Sequence, residues 1–134
     1  MPKHVREGHH TVTAYLTVDD AEGAIAFYQK AFGAKEIRRI EDPENNKIGF
    51  AELQIGDSRL MLSDEYPPDV LSPKTIGHTP VAVHLYVDDV DVWAERAIAA
   101  GITVVRPVAD RMADLRNGIF QCPYGHRWFI SSAL

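Results

Sequence analysis

Leu16 and Val18 alternate with Thr13, Tyr15 and Thr17 across residues 11–18, the period-two pattern of a strand with one buried face. Ile25, Tyr28 and Phe32 then recur at helical spacing. Asp19 or Asp20 opens that helix as N-cap, with Glu22 three residues after Asp19 as in a capping box, and Gly33 stops it. Residues 35–40 read as a strand and Asp42-Pro43-Glu44-Asn45-Asn46 as a turn. Residues 48–55 and 59–63 read as a hairpin around Gly56-Asp57. The stretch 64–80 holds four prolines and no periodicity, which predicts a linker. The same order then returns. A strand at 81–87 precedes a helix capped by Asp88 and running to Ala100, with Trp93, Ala97 and Ala100 inward. A strand at 102–105, a loop at 107–117, a strand at 118–122, a turn at 123–126 and a strand at 127–132 complete the chain.

The return is a repeat in the letters as well. Tyr15-Leu16-Thr17-Val18-Asp19-Asp20 is answered by His84-Leu85-Tyr86-Val87-Asp88-Asp89 at an offset of 69 residues, which Gly49 and Gly118 share, as do Gly56 and Gly125. A βαβββ unit has a sheet face that one copy cannot cover. The fold predicted is α+β: two pseudo-symmetric βαβββ modules, 11–63 and 81–132, joined by the linker 64–80. They make a curved mixed sheet around a cleft where a ligand would sit.

Composition narrows the function classes. The chain is 46% hydrophobic and 25% charged, ordinary for a globular protein. No apolar run approaches the roughly 20 residues of a membrane span, and no apolar stretch follows Met1-Pro2-Lys3-His4 as a signal peptide requires. A lone cysteine, Cys122, cannot form an internal disulfide and fits a reducing cytoplasm. It reads as a packing residue within a strand. A net charge of −5 argues against nucleic acid and gives mild support for a cationic ligand. Residues 1–10, with His4, His9 and His10, read as a loose arm.

Several motifs resemble one family. Ala24-Ile25-Ala26-Phe27-Tyr28-Gln29-Lys30-Ala31-Phe32-Gly33-Ala34, Ala51-Glu52-Leu53, Gly56-Asp57-Ser58-Arg59-Leu60-Met61-Leu62, Val87-Asp88-Asp89-Val90 and Pro123-Tyr124-Gly125-His126-Arg127-Trp128 are similar to the vicinal oxygen chelate superfamily. This is the superfamily of glyoxalase I, the fosfomycin and bleomycin resistance proteins and extradiol dioxygenases, and the resemblance is narrowest to its PhnB-like branch. It implies homodimers, a small-molecule ligand and, in the enzymes, a divalent metal acting as a Lewis acid. Its His, Glu or Gln ligands come from the first and last strands of each module. Carried over by register, those positions hold Thr13, Met61, Ala82 and Phe129, which are not a metal set. A register shift of two would place Tyr15 and His84 there instead. The expectation is a cleft without a metal cofactor.

Strand parity selects the residues on the helix-free face: Tyr15, Phe50, Glu52, Met61, His84, Tyr86, Arg127 and Phe129 as ligand-binding candidates. Glu52 and His84 are the catalytic candidates, as general base or ligand anchor, and are expected in one cavity beside Tyr15. Their structural alternatives are Glu52 bonded to Arg127 or a backbone amide and His84 satisfied by Tyr15 or Tyr86. Arg116 reads as a loop tie, His126 as an exposed or locally bonded turn residue, and Trp93 and Trp128 as core. Two functions stay open: metal-free sequestration of a small aromatic or cationic molecule, and lyase, isomerase or dioxygenase chemistry on a small oxygenated substrate.

Overall fold

Alternation along the strands and apolar stripes on two helices generate two sheets, each with a helix on one face. The computed structural model describes residues 4–112 and 114–134. The order is β1 (Ala14–Val18), α1 (Ala21–Phe32), β2 (Lys35–Asp42), β3 (Lys47–Ile55), β4 (Ser58–Asp64), α2 (Pro73–Ile76), β5 (Ala82–Tyr86), α3 (Val90–Ala100), β6 (Thr103–Arg111), β7 (Leu115–Gln121) and β8 (Arg127–Ala133). The strands make two four-stranded mixed sheets, β1-β4-β3-β2 and β5-β8-β7-β6. In each, the first strand runs parallel to the last and the remaining pairs are antiparallel. The architecture is α+β, two βαβββ modules.

The equivalence of the modules is visible in their caps. Asp20 accepts from the Gly23 amide at the start of α1, and Asp89 accepts from the Asp91 and Val92 amides at the start of α3. Asp88, one residue early, instead accepts from the Asp89 amide. With Asp20 as the cap, Glu22 falls in the first turn and forms no capping box. Gly33 (φ 67°) and Gly101 (φ 112°) end the helices in the left-handed region that favours glycine. Ala14 pairs with Leu60 in the first sheet as Val83 pairs with Trp128 in the second.

Leu16, Val18, Leu53, Leu60 and Leu62 are buried against α1, and Trp128 and Ile130 lie in the same core. Aromatic side chains join the modules. Tyr28 and Phe32 of α1 lie 5.1 and 4.7 Å from Trp128, centroid to centroid. The Tyr28 hydroxyl sits 3.3 Å from Cys122 Sγ. Arg96 of α3 donates to the Lys30 carbonyl, satisfying a C-terminal carbonyl of α1.

Several expectations are corrected. β6 and β7 extend through most of the predicted loop 107–117, so the turn between them is short. The linker carries α2, capped by Ser72, and a Tyr66–Val70 bridge. Cys122 lies one residue past β7, buried. His126 is neither exposed nor locally bonded: it is buried, and its Nε2–H donates to the Thr17 carbonyl at 2.8 Å. Trp93 is only half-buried. Arg116 binds Asp91 at the start of α3 and Asp110 on β6. The arm is anchored at His9, which is 4% exposed, while His4, Arg6, Glu7 and His10 are exposed; residues 1–3 lie outside the described residues.

Candidate functional site

The helix-free face of the first sheet gathers Tyr15, Phe50, Glu52 and Met61. The hairpin sets Glu52 opposite Met61, and the parallel pairing sets Tyr15 opposite Met61 on the other side. Tyr15 and Phe50 pack as a tilted pair at 6.5 Å, and the Arg38 guanidinium lies over the Phe50 ring at 5.4 Å. Glu52 is fully buried. Arg59, not Arg127, is its partner: the guanidinium donates to Glu52 Oε2. His9 Nε2 lies 3.0 Å from the same oxygen and Arg6 3.6 Å from Oε1. Burial raises the Glu52 carboxyl, but hydrogen bonds from His9 and Arg59 outweigh it and hold the group below the usual carboxylate range. A carboxylate so neutralised is an ionised structural anchor for the arm, poorly suited to taking a proton near neutral pH.

The second sheet's corresponding face carries His84, Tyr86, Arg127 and Phe129. His84 stacks on Tyr86 at 4.5 Å and 22° between planes, and meets Phe129 at 5.8 Å. Its Nε2 is 2.7 Å from Ser131 Oγ, so Ser131 and not Tyr15 satisfies it. Desolvation pushes the imidazole below its ordinary value, which leaves it neutral at pH 7. Arg127 donates to Gln121 at 2.8 Å. Tyr86 is 71% exposed and Tyr15 49%. The face is a set of aromatic planes with one neutral, oriented imidazole, which suits stacking of a flat ligand.

A cavity of about 670 Å³ lies where the β3–β4 turn approaches β5. His84 and Tyr86 reach it; Glu52, Tyr15, Phe50, Met61, Arg127 and Phe129 do not. The two catalytic candidates therefore do not share this cavity. Trp93, Asp57 and Asp88 line it, residues that parity on the helix-free face does not select because they sit on the helix side, in the turn or after β5, and so does Arg59, which lies on the same face of β4 as Met61.

The carried-over metal positions can be tested on their surroundings. Thr13 precedes β1 with its hydroxyl 3.5 Å from His9 Nδ1. Met61 faces Tyr15 and Glu52, Ala82 faces Arg127, and Phe129 faces His84 and Ile119. Threonine, methionine, alanine and phenylalanine do not make a site for a hard or borderline divalent ion. Among the described residues, no three His, Cys, Asp or Glu side chains group as ligands. The residues present do not fit the metal that the resemblance implies.

Residues 8–130 match the pattern of the Glyoxalase/Bleomycin resistance protein/Dioxygenase superfamily. An uncharacterised protein of Mycobacterium tuberculosis, Rv0887c, is 40% identical over 123 residues, which span 89% of this chain and 72% of that protein. TioX from Micromonospora sp. ML1 shares the fold at a TM-score of 0.71 and 27% identity, over 93% of this chain and 97% of its own. The fosfomycin resistance protein FosX from Listeria monocytogenes superposes at a TM-score of 0.73 over 93% of this chain and 94% of its own. At 19% identity that likeness is one of fold.

Proposed function

The chain belongs to the Glyoxalase/Bleomycin resistance protein/Dioxygenase superfamily, and from that premise we propose that it binds and sequesters a small planar aromatic or cationic molecule without a metal. The observation that carries the reading is the exchange on the helix-free faces. Thr13, Met61, Ala82 and Phe129 stand where metal donors would, and exposed rings stand around them. A flat ligand would stack on Tyr86 and Phe129, with His84 offering its free ring nitrogen and Arg127 a charged edge. Tyr15, Phe50 and Met61 supply the equivalent surface on the first module. The edge strands of the two sheets, β1, β2, β5 and β6, favour a homodimer.

The enzymatic alternative rests on His84, neutral and held by Ser131, as an acid–base group. A thermal-shift screen of planar aromatic, cationic and α-keto compounds separates the two. A sequestered ligand raises the unfolding midpoint and is recovered unchanged. His84→Ala then weakens binding by roughly 1–3 kcal/mol. Conversion of the compound, slowed about 10²–10⁴-fold by His84→Ala with binding intact, would contradict sequestration.

A further inference from the structure

The near-twofold relation of the modules sets up two equivalent contacts, and the chain fills only one. At the filled one, α1 wedges aromatic rings against the second module. Tyr28, eight residues past its N-cap, packs on Trp128 and reaches Cys122. Phe27 meets Tyr124 at 6.2 Å, Phe32 meets Trp128, and His126 closes the turn onto Thr17.

At the equivalent contact the rings are absent from the sequence. Eight residues past Asp89 stands Ala97, seven past stands Arg96, and twelve past stands Gly101, where α1 has Tyr28, Phe27 and Phe32. Strand pairing equates Trp128 with Leu60, since they face Val83 and Ala14 respectively. The residues that precede the two hairpin turns are Cys122 and Ile55. Arg96 turns away to the Lys30 and Gln29 carbonyls. A methyl group, a leucine and an isoleucine thus replace a tyrosine, a tryptophan and a cysteine. The cavity of about 670 Å³ opens beside Leu60 and Ile55, bounded also by Val83, Leu85, Val87 and Trp93. That is the size of a ligand pocket rather than of a packing void.

Its polar edge has one sign left over. The Arg59 guanidinium is engaged by Glu52 and Gln54. Among the described residues, Asp57 accepts from Ser58 and Asp88 from the Asp89 amide, one bond each, so both exposed carboxylates keep acceptor capacity. We propose that this junction pocket, which meets the helix-free faces at His84, Tyr86 and Arg59 and extends from them to the helix side, is a second binding site for a flat aromatic compound bearing a protonated amine. The ring takes the volume that Tyr28 fills in the other half, against Trp93, Leu60 and Val83. The ammonium lies between Asp57 and Asp88.

The test follows the Trp93 indole N–H signal by NMR during titration with 2-(aminomethyl)naphthalene and with neutral naphthalene-2-methanol. Both are expected to shift it, the amine with about tenfold higher affinity, a difference of about 1.4 kcal/mol. Asp57→Asn with Asp88→Asn should erase that preference and leave the alcohol unchanged. Ala97→Tyr, which returns the missing ring, should block both; if that variant does not fold, Val87→Trp serves in its place. Phe129→Ala, on the sheet face, should leave the Trp93 response intact, so failure of the sheet-face reading would not mimic failure of this one. No shift of Trp93 at millimolar amine would overturn the inference. So would a shift abolished by Phe129→Ala and indifferent to the paired aspartate changes.

Discussion

Glu52 is the side chain whose role changes most once its neighbours are known. A buried carboxylate costs several kcal/mol unless paired, and Arg59 and His9 pair it. Glu52→Gln should lower stability by about 1–3 kcal/mol in urea denaturation at pH 7, by leaving the Arg59 guanidinium without its counter-charge. Because its folded pKa lies below the unfolded one, the Glu52 contribution is present above the usual carboxylate range and fades as pH falls through the folded value. His126 acts at higher pH. Burial pushes its imidazole down, so the unfolded chain binds the proton more readily, and stability drops as pH falls below about 6.5. In His126→Gln, the loss of unfolding free energy between pH 7 and pH 5 should be visibly shallower. Arg59 was within reach of the sequence: a two-residue turn at Gly56-Asp57 sets Glu52 opposite Met61, and Arg59 is then the diagonal neighbour. The His9 contact was not, since an arm without periodicity gives no sign of what it covers. Nor was the bond from His126 to Thr17, which spans nearly the whole chain.

At the scale of elements, the caps and the aromatic wedge carry separable shares of stability. Asp20→Ala and Asp89→Ala should each cost about 1 kcal/mol, because each leaves helix-terminal amides without their acceptor. Tyr28→Ala should cost about 3–5 kcal/mol, since the ring is fully buried between the modules. Trp93→Ala, at the half-buried wall of the junction cavity, should cost clearly less; equal losses in thermal unfolding would contradict the asymmetry. Strand parity was legible because period two and one buried face leave a single assignment, and Leu16, Val18, Leu53, Leu60 and Leu62 all follow it. The edge of the second sheet was not. In β6 most side chains are exposed, so only residues 102–105 read as strand and the rest of it, from 107, reads as loop. The helix of the second module is also one residue shorter, 11 against 12, so the repeat offset drops by one past it, which hides that Leu60 and Trp128 are equivalent until the strands are paired.

For the whole molecule, the repeat announced two modules and a shared surface, and the departures from symmetry say what the surface can do. The same plan that fills one contact with Tyr28, Trp128 and His126 leaves its counterpart open, and puts rings where the superfamily resemblance would put metal donors. Tyr86 and Tyr15 remain exposed on the sheet faces. A twofold homodimer formed through the sheet edges should bury at least roughly 1,200 Å²; light scattering at micromolar concentration should report twice the 15.0 kDa chain mass. Metal independence is the claim on which the rest depends. The direct measurement is calorimetric titration of a ligand found by thermal shift, before and after exhaustive chelation, with metal content determined on the same samples. The account predicts unchanged affinity and substoichiometric metal throughout. Binding lost on chelation and restored by zinc, nickel, manganese or iron would contradict it.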